Sequence, residues 1–305
     1  MNFSVAGKGR EIVPRMAAQK LSHRDTARFR IRPERMLTTL QHLMKPRRIS
    51  PLTSLLAGCV LASIQFAAAD ELQPRFTKPV RQLLDEAFSS PTLAKPWEPG
   101  GRPGSFSITE GALKGVSAPD DSHGPSIGVP LDGRNFTIGF RFKYAKPGYF
   151  LFLLDGESRF GGAAHLLRVS LAPGQTLIQQ DRGEPASHIA QGKEKREADK
   201  AGRKVPPPTK EQLADPKFYR VEKLASQPAK TGDGQWHRVL IEQHGNDVLV
   251  QVDDQPSLSA TGTVIDAKKS RIVFLVGQSG TVLVDDVKVW ENARASKAGP
   301  AAAKQ

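Results

Sequence analysis

Apolar and polar side chains alternate along most of the chain from residue 83 onward. The pattern is clearest at residues 135–144, where an apolar side chain stands at every even position from Phe136 to Tyr144. In an extended backbone these side chains share one face, and the odd positions point the opposite way. Similar short runs, separated by turn residues, occupy residues 149–154, 164–171, 176–181, 235–243, 247–253, 271–276 and 281–290. The sequence therefore predicts an all-β fold of ten to twelve strands, arranged as a two-sheet antiparallel sandwich.

Residues 182–230 interrupt this alternation. Lys, Arg, Glu and Ala dominate residues 192–204, and three prolines follow at 206–208. Thr209 and Gln212 have the spacing of a helix N-cap and its capping box. We expect a solvated insertion with a short helix; the alternative is a charged surface for a protein partner at residues 190–230. The sandwich domain is predicted to span residues 70–291, followed by a disordered tail at 292–305.

Residues 44–69 have the pattern of a signal peptide. Arg47 and Arg48 precede a largely apolar stretch, and Ala67 and Ala69 are the small residues expected before a cleavage site. We expect cleavage before Asp70 and export to the periplasm or the extracellular space. Residues 1–43 are then a non-native or disordered leader, because translation can begin at Met44.

Two forms of membrane attachment are alternatives to release. Residues 56–59 read Leu-Ala-Gly-Cys and resemble the bacterial lipoprotein box, in which Cys59 would be acylated. Polar residues interrupt the apolar stretch between residues 50 and 65, which disfavours a permanent membrane span.

The charge distribution argues against a nucleic-acid partner. The net charge is +13, but residues 1–69 carry 12 of the 44 basic residues and 3 of the 31 acidic ones. The remainder is near neutral and has no clustered basic stretch on a predicted strand. A single cysteine, Cys59, excludes a disulfide scaffold and a multi-cysteine zinc site. The five histidines after residue 70 have no local metal-ligand spacing, so no metal and no cofactor are predicted.

Two stretches resemble known β-sandwich families. Residues 233–239, which contain Asp233, Trp236 and His237, look like the D-G-x-W-H strand of laminin-G-like and other concanavalin-A-like jelly rolls. Residues 283–290 resemble the terminal strand of the same sandwiches. The resemblance covers residues 83–291 and implies a jelly-roll sandwich that takes carbohydrate. It also allows a structural Ca²⁺, although no ligands can be assigned and the Asp285 and Asp286 pair equally fits a solvent-facing position.

A third stretch points to one branch of this group. Residues 106–113 resemble the hairpin that opens exported bacterial domains similar to 3-keto-disaccharide hydrolases, which are family-16-glycosidase-like. Phe106 replaces the usual tryptophan of that hairpin. The frequent Asn-Ser-Gly-Ile motif of those domains is absent, and residues 149–152 occupy the comparable strand.

The sequence lacks the carboxylate pattern of laminarinase-type glucanases. Those enzymes carry E-x-D-x-x-E on one strand, which places the carboxylates on a single face. Here E-x-D occurs only at residues 197–199, inside the insertion. What remains is an outward polar face, and the candidate ligand-binding residues on it are Arg141, Arg168, Gln179 and Asp181. Planar guanidinium, amide and carboxylate groups suit the paired hydroxyls of a sugar, although such residues also occur as ordinary solvent-facing positions.

The candidate catalytic residues are His165 with Asp155 or Glu157, because histidine titrates near neutral pH. The competing interpretation is that His165 belongs to the core, since regular alternation places it on the face of Leu167 and Val169. Asp155 also precedes a glycine, which is a turn signal. Trp236 is likewise expected in the core rather than as a platform for sugar rings.

The leading hypothesis is therefore an exported glycan-recognition module. The first alternative is a glycoside hydrolase or lyase resembling 3-keto-disaccharide hydrolases. The second alternative is a structural cell-envelope protein that binds a protein partner through the insertion.

Overall fold

The computed structural model describes residues 71–101, 104–119, 121 and 123–295. The predicted leader, the predicted signal peptide and Cys59 lie outside the described residues. Neither helix in the described part of the chain is long and apolar enough to cross a membrane.

The described residues form fifteen strands and two helices. The strands are β1 (Thr77–Glu86), β2 (Glu98–Pro99), β3 (Gly104–Thr109), β4 (Ala112–Ser117), β5 (Ser126–Gly133), β6 (Phe136–Lys146), β7 (Tyr149–Glu157), β8 (Ala163–Ala172), β9 (Gln175–Arg182), β10 (Arg220–Pro228), β11 (His237–His244), β12 (Asp247–Val252), β13 (Leu258–Thr261), β14 (Lys269–Gly277) and β15 (Thr281–Arg294). The helices are α1 (Pro185–Lys200) and α2 (Lys210–Ala214).

The strands form two antiparallel sheets. Sheet A has the order β13-β12-β11-β6-β15-β4-β3, and β1 also pairs with β15. Sheet B has the order β10-β9-β8-β7-β14-β5-β2. The predicted all-β, two-sheet sandwich is confirmed, with more strands than expected because β1, β2, β10 and β13 lack a clear alternation.

Aromatic side chains fill the core between the sheets. The even positions of β6 are buried as predicted, from Phe136 through Tyr144. Phe140 of sheet A meets Phe274 of sheet B edge-on, with ring centroids 5.2 Å apart. Phe142 packs on Phe150 at 5.3 Å. Burial of such rings removes large apolar areas from water and holds the two sheets face to face.

The insertion is more ordered than the sequence suggests. Helix α1 begins at Pro185, seven residues before the Lys- and Glu-rich run, and α2 has the expected capping box between Thr209 and Gln212. The chain then returns to sheet B as β10, which pairs with β9. This return brings Tyr219 and the first turn of α1 beside the outer face of sheet B.

The first and last described strands lie side by side. In the β1–β15 pair, Thr77 is opposite Arg294, and the Ala295 amide donates to the Phe76 carbonyl at 3.0 Å. β15 thus extends three residues into the segment expected to be a tail, and residues from 296 onward lie outside the described residues.

A β-bulge between β7 and β8 sets the orientation of the candidate site. Leu154 pairs with Leu167, whereas Asp155 pairs with His165, so Leu166 is the extra residue. A one-residue shift reverses which face a side chain takes. His165 therefore lies with Asp155 and Arg168 on the outer face of sheet B, rather than with Leu167 and Val169 in the core.

Candidate functional site

A histidine and a carboxylate form a close pair on the outer face of sheet B. His165 Nδ1 lies 2.6 Å from Asp155 Oδ1, and the histidine side chain is 29% exposed. The expectation that His165 belongs to the core is wrong, because the bulge turns it outward. With Nδ1 held by Asp155, the Nε2 atom is the ring nitrogen positioned to meet a ligand.

Arg168 and Asp181 form a buried ion pair beside this histidine. Arg168 Nε donates to Asp181 Oδ1 at 2.5 Å, and a second guanidinium nitrogen donates to Oδ2 at 2.8 Å. Burial opposes the charge on Arg168, but the hydrogen bond and charge of Asp181 keep its pKa above the usual value. A bidentate pair of this kind fixes both side chains in one geometry.

Tyr219 connects the pair to the insertion. Its hydroxyl accepts from Arg168 at 2.9 Å and donates to Asp181 Oδ2 at 2.9 Å. Burial is the main cause that raises the pKa of Tyr219, so the phenol stays neutral at physiological pH. The Tyr219 amide also donates to Ser187 Oγ at 3.0 Å, which connects the residue before β10 to the first turn of α1.

An aromatic stack stands at the edge of this network. The rings of His188 and Tyr219 lie 3.9 Å apart at an interplanar angle of 15°. Partial burial lowers the pKa of His188, which favours the neutral imidazole. The stack, Asp155, His165 and Asp181 line a cleft of about 80 Å³, together with Ala163, Ala164, Gly183 and Pro185.

Two further candidates on sheet B lie near this cleft but outside its lining. Gln179 is opposite Arg168 in the β8–β9 pair, so it shares the outer face. Glu157 is exposed and lines a neighbouring cleft of about 360 Å³ that also contains Arg134, Arg159 and Phe160. Asp155, rather than Glu157, is therefore the carboxylate that contacts His165.

Arg141 lies on the other side of the sandwich. It projects from β6 on the outer face of sheet A, where it forms ion pairs with Asp285 at 2.5 Å and Asp286 at 2.7 Å. The four ligand-binding candidates consequently divide into three residues on sheet B and one on sheet A. Among the described residues, no group of three or more His, Cys, Asp or Glu is arranged to hold a metal ion.

The residues that resemble laminin-G-like domains have a structural role here. Trp236 is half-buried beneath Arg141, whose guanidinium lies 4.9 Å from the ring centroid, so its expected place in the core is wrong. His237 is buried instead, with Nδ1 2.8 Å from Asp253 and Nε2 2.9 Å from Asp233. These hydrogen bonds hold the start of β11 against the end of β12.

Sequence reasoning missed His188 and Tyr219, which belong to the insertion. The available signal was compositional: Phe218 and Tyr219 are the two aromatic residues, and His188 the one histidine, in residues 182–230. Aromatic residues in an otherwise polar insertion indicate a segment that packs against the surface of the folded sandwich.

The Laminin G domain family matches residues 218–279. No curated protein matches the chain.

Three similar solved structures are a galectin-like protein of unknown function from Bacillus subtilis, a laminarinase from Rhodothermus marinus and the carbohydrate-binding module CBM66 from Bacillus subtilis. Their identities are 14%, 11% and 11%, and their TM-scores 0.45, 0.45 and 0.40. They cover 72%, 72% and 64% of this chain and 100%, 100% and 95% of their own chains. The described part of the chain is therefore a two-sheet antiparallel β-sandwich, and residues 218–279 of it are similar to Laminin G domains.

Proposed function

We propose that this protein is an exported sandwich that recognises a glycan in the His165 cleft. The observation that carries the proposal is that hydrogen-bonding groups and an aromatic stack converge on one opening in sheet B. A sugar ring presents adjacent hydroxyls at its edge and C–H groups on its faces, so it needs fixed donors and acceptors together with a flat apolar surface.

Preorganisation is what makes this arrangement suitable for recognition. Asp181 is held by Arg168 and Tyr219 before any ligand arrives. A ligand that binds these groups therefore does not have to order them, which lowers the entropic cost of association.

The proposal includes the absence of the glucanase carboxylate mechanism. Residues 197–199, which carry E-x-D, fall in α1, where Glu197 is 63% exposed and pairs with Lys193. Two carboxylates on a helix surface do not flank a sugar bound on a strand face.

A glycan array probed with the labelled mature protein tests this function, with hits confirmed by titration calorimetry. We expect saturable binding that Tyr219→Phe and Arg168→Ala each weaken. Arg81→Ala, a surface arginine paired with Glu291 on sheet A, is the matched control and leaves affinity unchanged. If no glycan is retained, or if both cleft variants bind like the unmodified protein, the proposal fails.

A second candidate function is acid–base chemistry on a modified sugar, resembling that of 3-keto-disaccharide hydrolases. The 2.6 Å contact of His165 with Asp155 favours it, because a carboxylate bound to Nδ1 fixes the orientation of the ring and leaves Nε2 available for proton transfer. Release of the aglycone from a chromogenic 3-keto-glucoside measures this activity. Loss of turnover in His165→Gln, with glycan affinity retained, would support the enzyme; absence of turnover in the unmodified protein excludes it for that substrate.

Export is part of the proposal and has a separate test. N-terminal sequencing of the processed protein distinguishes cleavage before Asp70 from lipid attachment at Cys59. Cys59→Ser releases the protein from the membrane fraction only if the cysteine is acylated. An unprocessed chain in the cytoplasm would contradict both forms of export.

A further inference from the structure

A groove of about 560 Å³ opens on the outer face of sheet A, on the opposite side of the sandwich from the His165 cleft. Its floor is Gly139 of β6, between Trp290 of β15 and Leu240 of β11. Arg141, Arg238 and Lys288 lie on the rim, and residues 71–74 contribute to its lining. The volume falls within the range of small-molecule sites, about 300–1,000 Å³.

Gly139 is unusual among the glycines of the described strands. A Cβ added there would meet Trp290 at 3.7 Å and Leu240 at 3.8 Å, which are ordinary contacts. Each of the other described strand glycines would place a Cβ 3.2 Å or less from another atom, so a side chain there would crowd its neighbours. Packing therefore does not demand glycine at 139, although glycine weakens a strand interior. A glycine in this position leaves the floor open to a ligand.

Two cations on the rim, Arg141 and Lys288, are paired with carboxylates. Arg141 is held by Asp285 and Asp286, and Lys288 lies 3.3 Å from Glu71. Paired charges give little net attraction for an ion, but their remaining donor and acceptor positions can bind hydroxyl groups. Beside them, the half-buried indole of Trp290 lines the groove and offers an aromatic surface.

From these observations we infer that the groove is a second binding site, which takes a neutral oligosaccharide lying along Trp290 and across Gly139. The open floor and the aromatic side chain of Trp290 can contact the faces of an uncharged sugar chain. The paired charges on the rim can hydrogen-bond the hydroxyl groups along its edge. The site uses none of the residues of the His165 cleft and goes beyond the function proposed above.

The experiment follows tryptophan fluorescence while the mature protein is titrated with neutral hexasaccharides of β-1,3-, β-1,4- and α-1,4-linked glucose, and with an oligogalacturonate as the anionic probe. Gly139→Val fills the floor and suits the strand, because β-branched residues favour extended backbone. We expect at least one neutral hexasaccharide to bind saturably, and Gly139→Val to weaken it by about tenfold or more. Its melting temperature should equal or exceed that of the unmodified protein. Lys143→Ala, on the same strand and face but outside the groove lining, is the matched control.

A second variant, Tyr219→Phe, distinguishes binding in the groove from binding in the His165 cleft. Groove binding should be unchanged in Tyr219→Phe, whereas the same substitution should weaken binding in the His165 cleft. The inference is overturned if no neutral hexasaccharide binds, if only the oligogalacturonate binds, or if Gly139→Val binds like the unmodified protein. Binding that Tyr219→Phe abolishes and Gly139→Val leaves intact would also overturn it, while supporting the sheet B cleft.

Discussion

His165 Nδ1 meets Asp155 Oδ1 at 2.6 Å across two strands whose register shifts by one residue at that point. The contact depends on the shift, because regular pairing would send the imidazole into the core. Asp155 and the bulge at Leu166 thus act together to present the ring at the cleft.

Replacing Asp155 by Asn should weaken glycan binding by about tenfold. The amide keeps the size of the side chain but removes the charge that holds the imidazole ring. Calorimetry measures the affinity, and nitrogen NMR of the ring reports whether the proton stays on Nδ1. Asp132→Asn, at an exposed ion pair with Lys268, is the control. Unchanged affinity together with an unchanged tautomer would show that Asp155 does not position the ring.

The alternation of residues 135–144 was sufficient to predict β6 and the buried aromatic layer, because a half-buried strand imposes a period of two on its sequence. Alternation predicts on which face of its strand a residue lies, however, and it does not predict to which of the two sheets that strand belongs. It therefore grouped Arg141 with Arg168, which lies on the opposite layer. The orientation of His165 depends on a single extra residue, Leu166, that no local pattern marks.

The contribution of Tyr219 to the candidate site could not be predicted from the sequence either. It lies 38 residues from Asp181, with which it forms a hydrogen bond. The intervening chain is polar and reads as solvated. The pairing of β10 with β9, together with the contacts of α1, brings the two side chains together.

The Arg168–Asp181 pair should be strongly coupled energetically. The side chains are 14% and 4% exposed, so removing either one leaves a largely buried charge without its partner. We expect Arg168→Ala or Asp181→Ala to lower the free energy of unfolding by about 3–5 kcal/mol. The double variant should cost clearly less than the sum of the two, because no unpaired charge remains. Urea unfolding of the four proteins measures the coupling; additive losses would refute it.

Lys269 should make stability rise with pH. Its side chain is fully buried, its ammonium donates to the carbonyls of Arg134 and Ile265, and burial lowers its pKa from 10.5 to about 7. Between these values the unfolded chain holds the proton and the folded protein does not. The unfolded state then binds more protons, and raising the pH favours folding by up to roughly 1.4 kcal/mol per pH unit.

Chemical denaturation at several pH values between 7.5 and 9.5 tests this linkage. Lys269→Met should flatten the rise, since it removes the titrating group. Lys268→Met, at the adjacent and exposed lysine, should keep it. Equal slopes in Lys269→Met and the unmodified protein would mean that Lys269 keeps its ordinary pKa.

The tyrosines should oppose this trend above pH 10. The chain has three, Tyr144, Tyr149 and Tyr219, and burial raises the pKa of each. In the unfolded chain they release protons near pH 10, while the folded protein retains them, so stability falls as the pH rises further. An ultraviolet titration should show phenolate absorbance appearing only as the protein unfolds. A phenolate signal near pH 10 with native circular dichroism would show that a tyrosine is accessible.

The pairing of Thr77 with Arg294 places the two ends of the sandwich at the same corner. Tension applied at residues 76 and 295 would load the β1–β15 hydrogen bonds one at a time, starting from the Thr77–Arg294 end. The domain should therefore unfold at a lower force than a domain in which the hydrogen bonds of a strand pair are loaded together in shear. The same closeness means that a short peptide could join the two ends, and a new opening in the exposed segment between α1 and α2 would leave every strand pair intact.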